Sequence, residues 1–360
     1  MVRKTFYESL EQVAEERGLQ VEDVLTSVEN ALVKACKHVG YDGDIHVEFE
    51  PEKSRIKIIE QKMIVEEIDE EEEQAQITLA DALKEKGNAK VGAVIKREIK
   101  FEELPRKAAR QFYQVFTQGL TELERKKQYE FFKERENEII TARIKKVTDE
   151  AVYLSLGLNV DTYMPRKEAI DGEPLIEGTD ITVYISKVEE GTKGPKIFVS
   201  RVHRDIVKRL FELYIPEVSS GVVEIMAIAR DAGRRTKVGV LSNDENVDPK
   251  GACVGIQGAR IKQINNALNN ERIDIFTWKN NPVDLIAEAL TPAQVISVIA
   301  DEKTKTSTVI VPDTQFSLAI GKGGQNARLA SQATGWKIDI KDETTARSEN
   351  IEYEPNVSMY

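Results

Sequence analysis

Apolar residues recur at helical spacing along the first 40 positions. Phe6, Leu10 and Val13 stand at i, i+4 and i+7, and Val24, Leu25, Val28, Leu32 and Val33 continue the pattern. This predicts two amphipathic helices, the second closing near Gly40. The period then shortens to two. Ile45, Val47 and Phe49 alternate with His46, Glu48 and Glu50, and the β-branched run 56–65 follows, so both predict strands. Beyond the acidic stretch 66–73, residues 77–86 predict a short helix and 91–99 another strand. Pro105 opens a long charged segment to Arg135 that reads as a solvated connecting helix.

From 136 to 202 the pattern becomes a series of short strands: 139–147, 151–156, 161–164, 181–188 and 196–200. Turn residues such as Gly157-Leu158-Asn159 and Gly191-Thr192-Lys193-Gly194-Pro195 separate them. Five strands in so short a span predict a closed barrel of the OB type.

The remainder repeats itself. Gly255-Ile256-Gln257-Gly258 precedes a helical run and then Ile273-Asp274-Ile275. Gly321-Lys322-Gly323-Gly324 precedes a helical run and then Ile338-Asp339-Ile340. Two strand-like runs lie upstream of each loop, at 222–229 and 237–241, then at 295–299 and 308–311. Each copy reads β-β-α-GxxG-α-β, and Asn281-Pro282 opens the helix that begins the second. Residues 345–360 are polar and aperiodic and read as a disordered tail. The expected domains are 1–135, an N-terminal block ending in the long helix; 136–202, the barrel; and 203–279 and 280–344, the two repeats.

Composition narrows the chemistry. The 360 residues carry 51 Lys and Arg against 62 Asp and Glu, a net charge of −11, which excludes a uniformly basic nucleic-acid coat. Residues 1–135 hold 23 basic and 29 acidic groups, a balance of −6. Yet 250–262 contains Lys250, Arg260 and Lys262 with no acid, and 316–337 contains Lys322, Arg328 and Lys337 with no acid. Basic stretches therefore surround both glycine loops. The two cysteines, Cys36 and Cys253, exclude a disulfide framework or a four-cysteine zinc site and read as free, small buried hydrophobes. No signal peptide or membrane-length apolar run is evident, so a soluble cytoplasmic protein is expected.

A GxxG segment between two helices has a defined use. Glycines let a phosphodiester backbone approach the main chain, and the following helix N-terminus favours an anion. That is how a KH module clamps about four nucleotides of single strand. The expected RNA contacts are Gly255, Ile256, Gln257, Gly258, Arg260 and Lys262 in the first copy, and Gly321, Lys322, Gly323, Gly324 and Arg328 in the second. Glycine pairs that merely permit a tight turn are the plain alternative. The barrel adds Tyr153 and Tyr163, as base-stacking candidates on adjacent strands, with Arg166 and Lys167 following; core packing is the competing role. Phe198, Arg201 and His203 lie at its far end, and Phe198 reads as core. Trp278 and Trp336 read as packing residues. His38, His46 and His203 do not cluster, and no metal-ligand spacing, GxxxxGK[ST] or GxSxG motif is present, so no metal, cofactor or catalytic residue is expected. The acidic stretch reads as a solvated loop rather than a two-metal centre.

The order of modules resembles the NusA family of bacterial transcription elongation and termination factors. The segment 319–330, Ala-Ile-Gly-Lys-Gly-Gly-Gln-Asn-Ala-Arg-Leu-Ala, is the most specific part of the likeness. Gly251-Ala252-Cys253-Val254-Gly255 with Ile273-Asp274-Ile275, and Val199-Ser200-Arg201 with the run 208–213, extend it. The resemblance implies an α/β N-terminal domain, an S1 barrel of OB type and two tandem type II KH domains. It implies no enzymatic activity, binding to core RNA polymerase through the N-terminal domain, and contacts with nascent single-stranded RNA and with other elongation factors. A monomer that modulates pausing, termination and antitermination is the expectation. Members usually carry a basic residue at the Gln257 position, which implies a weaker phosphate hold in the first loop. The acidic C-terminal repeats of some members are not represented. An RNA-degrading enzyme and a ribosome-associated adapter are the alternative readings.

Overall fold

The computed structural model describes residues 6–50, 55–69 and 75–357. Positions 70–73 of the acidic stretch and 358–360 of the tail lie outside the described residues. The chain forms two compact units, one reaching to Phe131 and including Thr192–Gly194, the other containing the rest.

The first unit opens with α1 (Phe6–Arg17) and α2 (Val21–His38), which bury the stripes their spacing predicts: Leu10 and Ala14, then Val24, Val28, Leu32 and Cys36. Strands β1 (Asp44–Glu50) and β2 (Arg55–Val65) pair antiparallel, with Val47 opposite Ile58. A strand that the sequence pattern does not predict, β3 (Gln76–Thr78), joins β2 in parallel, so the short helix α3 (Leu79–Glu85) begins later than expected. Strand β4 (Val94–Ile99) completes the sheet on β2.

Helix α4 (Arg106–Lys133) corrects an expectation. It is not a solvated connector along its whole length. Leu120, with Phe112, Phe116 and Leu123, packs on the core of α1, α2 and the sheet. Gly119 lies so close to Ser27 of α2 that a Cβ would collide with the hydroxyl. Charged residues fill the remaining helix faces and mask this stripe in the sequence.

In the second unit, β5 (Ile139–Val147), β6 (Ala151–Ser155), β7 (Asp161–Pro165), β8 (Asp180–Glu189) and β9 (Lys196–Ser200) form an antiparallel sheet in the order β7-β6-β5-β8-β9. Thr162 Oγ1 donates to the Ile197 carbonyl across the β7–β9 seam at 2.5 Å, which nearly closes an S1-like barrel.

Helices α5 (Asp205–Tyr214) and α6 (Pro216–Ser219) lead into β10 (Val223–Asp231), β11 (Arg235–Ser242), α7 (Pro249–Val254), α8 (Ala259–Ala267) and β12 (Arg272–Thr277). The second copy follows with α9 (Pro282–Ala289), β13 (Ser297–Asp301), β14 (Thr306–Val311), α10 (Phe316–Ile320), α11 (Gln325–Thr334) and β15 (Lys337–Asp342). Each has a three-stranded sheet whose first two strands run antiparallel and whose last two run parallel, and in each the helix pair precedes the last strand. Asn281 caps α9 by accepting from Val283 N, with Pro282 at the first turn.

The tail reading is also corrected. Residues 343–348 form α12 (Glu343–Ser348), capped by Asp342. Farther on, Asn356 accepts from Val298 N and donates to Val298 O, both at 2.9 Å, and so satisfies the free edge of β13. One side-chain amide imitating a strand leaves no periodic trace in a sequence.

Candidate nucleic-acid interface

The two glycine loops share one backbone conformation. Gly255 (φ +73°, ψ 175°), Gln257 (φ +53°, ψ 25°) and Gly258 (φ +73°, ψ 20°) match Gly321 (φ +74°, ψ 171°), Gly323 (φ +60°, ψ 28°) and Gly324 (φ +74°, ψ 12°). Three positions per loop are left-handed, where glycine is unstrained; Gln257 occupies one of them without that advantage. A Cβ on Gly255 would meet Arg260 Cγ at 2.9 Å, and one on Gly321 would meet Asn326 Cβ at 2.8 Å. By contrast, nothing approaches Gly323 or Gly324, and Gly258 has only Ile261 and Lys262 at 3.8 Å. The first glycine of each loop is therefore held by packing, and the later positions face open space.

Each loop is braced by the residue five positions after its first glycine. Arg260 Nη1 donates to the Ala252 carbonyl at 2.6 Å, and Asn326 Nδ2 donates to the Ala319 carbonyl at 3.0 Å. Asn326 is fully buried and also reaches Leu290 O at 3.0 Å. Sequence reasoning assigned Arg260 to RNA and missed Asn326, a polar residue whose burial the local pattern does not reveal. The amides of the first turns of α8 and α11 follow directly, and both helices present their positive dipole ends to the loops. A hollow of about 520 Å³, lined by Gly251, Gly255, Ile256, Ala259 and Arg260, opens beside the first loop.

The expected cations divide into two sets. Arg260 pairs with Glu217 at 2.8 Å, and Lys250 stands 4.0 Å from Glu288. Arg328 pairs with Asp231 at the end of β10, at 3.0 Å, beside Gln325 Nε2 on the same carboxylate oxygen at 2.7 Å. Lys262 Nζ donates to the Gln257 carbonyl at 3.1 Å, and Lys322 is exposed within its loop. Ile256 is 87% exposed.

On the barrel, Tyr153 and Tyr163 are cross-strand partners and both are exposed. Phe198 is exposed as well, which overturns its core reading: Ile197 and Val199 point inward and Phe198 outward. An unbroken apolar triplet hides the alternation that a strand imposes. The β7–β9 seam brings Phe198 onto the side of the barrel that carries Tyr163. Arg166 is exposed in the turn after β7, its backbone N–H bonded to Glu150 O. Arg201 is buried and bonded to Glu173, to Thr182 O and to Ala267 O. His203 stacks on Tyr184 with ring centroids 4.5 Å apart. Neither of these two residues adds to the exposed aromatic face. Trp336 is buried in the second KH core, and Trp278 packs against it. Burial pushes the Cys36 and Cys253 thiols up to about 11 and about 12, so both stay protonated and unreactive.

Family models match in the same order. Residues 5–126 match the NusA N-terminal domain, 201–278 the NusA-like first KH domain and 282–348 the NusA-like second KH domain. The transcription termination/antitermination protein NusA of Bacillus subtilis is 40% identical over 96% of this chain and 92% of its own length. The chain belongs to the NusA family. The NusA proteins of Halalkalibacterium halodurans (40% identical over 95% of this chain and 89% of that one) and Thermus thermophilus (38%, 95% and 90%) are similar over the same span. No helix among the described residues is long and apolar enough to cross a membrane.

Proposed function

We propose that this chain is a cytoplasmic transcription elongation, termination and antitermination factor that acts without catalysis. It binds core RNA polymerase through residues 1–135, as a monomer, and follows the emerging transcript with the barrel at 136–202 and the KH pair at 203–279 and 280–344. The observation that carries the reading is the pair of GxxG loops with one backbone conformation, open on their later positions, in a chain of this family. Such loops accept phosphates on peptide amides, and the aromatic face of Tyr153, Tyr163 and Phe198 offers bases a stacking surface beside Arg166.

The test is transcription by purified polymerase on a template with a hairpin pause and an intrinsic terminator. Adding the protein changes pause duration and the terminated fraction. The double variant Lys322→Asp with Gly323→Asp loses RNA affinity while keeping its thermal transition, because the matching Gln257 demonstrates that a side chain fits this backbone. No effect on pausing or termination, or full RNA affinity in the variant, refutes the reading.

A further inference from the structure

We infer that the two KH loops take their phosphate-binding cation from different places: Lys262, a full turn into α8, in the first, and Lys322, within the loop itself, in the second. This rests on the RNA-binding reading above and assigns the charge within it.

Superposing the repeat at its glycines makes the exchange visible. Position +1 after the first glycine is Ile256 in one copy and Lys322 in the other, and position +7 is Lys262 in one and Arg328 in the other. Each copy thus encodes a cation at +7, but only the second encodes one at +1. The structure then removes one of the three. Arg328 is held by Asp231, a residue of the first KH domain, and the same carboxylate is anchored by Gln325. An Arg paired with a carboxylate 3.0 Å away offers a phosphate less than a free one does, because the carboxylate's repulsion of the incoming anion offsets much of the guanidinium's attraction. Lys262 has the opposite setting. Its ammonium stands on the Gln257 carbonyl at 3.1 Å, its Cε lies 3.8 Å from where a Gly258 Cβ would be, and no acid pairs with it among the described residues. It therefore lies over the part of the first loop that a strand must touch. Lys250 and Arg260, the other basic residues of that stretch, are matched by Glu288 and Glu217. Each loop is left with one uncompensated cation. Asp231 is the positioning residue that makes the count equal, and it ties the first turn of α11 to the first KH domain as it does so.

The experiment measures the affinity of the full chain for a labelled oligoadenylate of roughly ten nucleotides, long enough for two clamps of about four, as a function of salt. Each lost single-strand phosphate contact lowers the slope of log K against log salt by about 0.7. Lys262→Gln and Lys322→Gln each flatten the slope by that amount, which is about a 2.6-fold smaller loss of affinity across a fourfold rise in salt. Removing the pair whole, with Asp231→Asn and Arg328→Gln together, leaves the slope unchanged, because no net charge is lost. Asp231→Asn alone frees Arg328 and steepens it by about 0.7. All these side chains are at least partly exposed, and an unchanged thermal transition verifies folding. A normal slope in Lys262→Gln, or a flattened one in the Asp231→Asn, Arg328→Gln double variant, overturns the assignment. If the Lys322→Asp, Gly323→Asp double variant still binds fully, the RNA-clamp reading itself fails; if it does not bind while Lys262→Gln behaves as wild type, only the present inference fails.

Discussion

Lys237 on β11 shows what burial does to a single charge. It is 1% exposed, its Nζ donates to Thr291 O at 2.8 Å, and Asp274 lies 3.6 Å away. Burial pulls its pKa down to about 8, against the opposing pull of Asp274. A lysine whose folded pKa lies below its unfolded value burdens the native state fully below the folded pKa, and the burden lifts as pH climbs toward the unfolded value of 10.5. The window is therefore pH 8 to 10.5, with stability rising through it. Lys237→Met lacks this term. Urea denaturation of both chains is expected to show the wild type gaining about 2 kcal/mol on the variant between about pH 7.5 and about pH 9.5. A difference that stays constant with pH removes the account. Nothing local in the sequence marks Lys237 as buried, nor Arg260 and Asn326 as braces. The loop glycines were legible because their backbone angles restrict the residue type directly. The partners of a long polar side chain depend on what the fold brings near it, and Glu217 and Leu290 lie far away in sequence.

Elements were read well where one face is buried and the other solvated, as in α2, β1 and β5. They were misread where that contrast is blurred. In α4 the apolar stripe is diluted by charge, and in β9 three apolar residues follow one another although only Ile197 and Val199 enter the core. The proposed stacking face follows from that correction. Phe198→Ala and Tyr163→Ala are each expected to weaken oligoadenylate binding by about 1–3 kcal/mol, the worth of one base stack. Because both side chains are exposed, the thermal transition stays in place; Ile197→Ala instead lowers it. Fluorescence titration and calorimetry on the same samples distinguish the two results, and a loss of stability in Phe198→Ala would return that residue to the core.

Within the second unit, the modules are joined by continuous cores. Tyr184 and Ile139 of the barrel pack with the first KH helices, and Ala229 and Phe276 of the first KH domain pack into the core of the second. Arg201 is the polar fastener at the first junction. It is 2% exposed, pairs with Glu173 in the barrel and donates to Ala267 O at the end of α8 at 3.0 Å. Removing one member of a buried pair leaves a bare charge, so Arg201→Ala is expected to cost about 3–5 kcal/mol in urea denaturation. Converting the pair together, Arg201→Met with Glu173→Leu, recovers most of it. If the single variant is as stable as the wild type, the junction does not depend on this residue. The first unit carries its own core, from Leu10 and Val28 to Ile58 and Leu120.

Periodicity, turn chemistry and the repeated glycines determined the module order and the two loop conformations. These depend on which backbone angles a residue tolerates and on which face of a short element is apolar, and both are local properties. Tertiary structure alone decided which cations remain free for a polyanion, which aromatics face outward, and which polar side chains act as braces. Coulomb pairing and burial are set by distance in space, and Asp231 reaches Arg328 across 97 positions of chain.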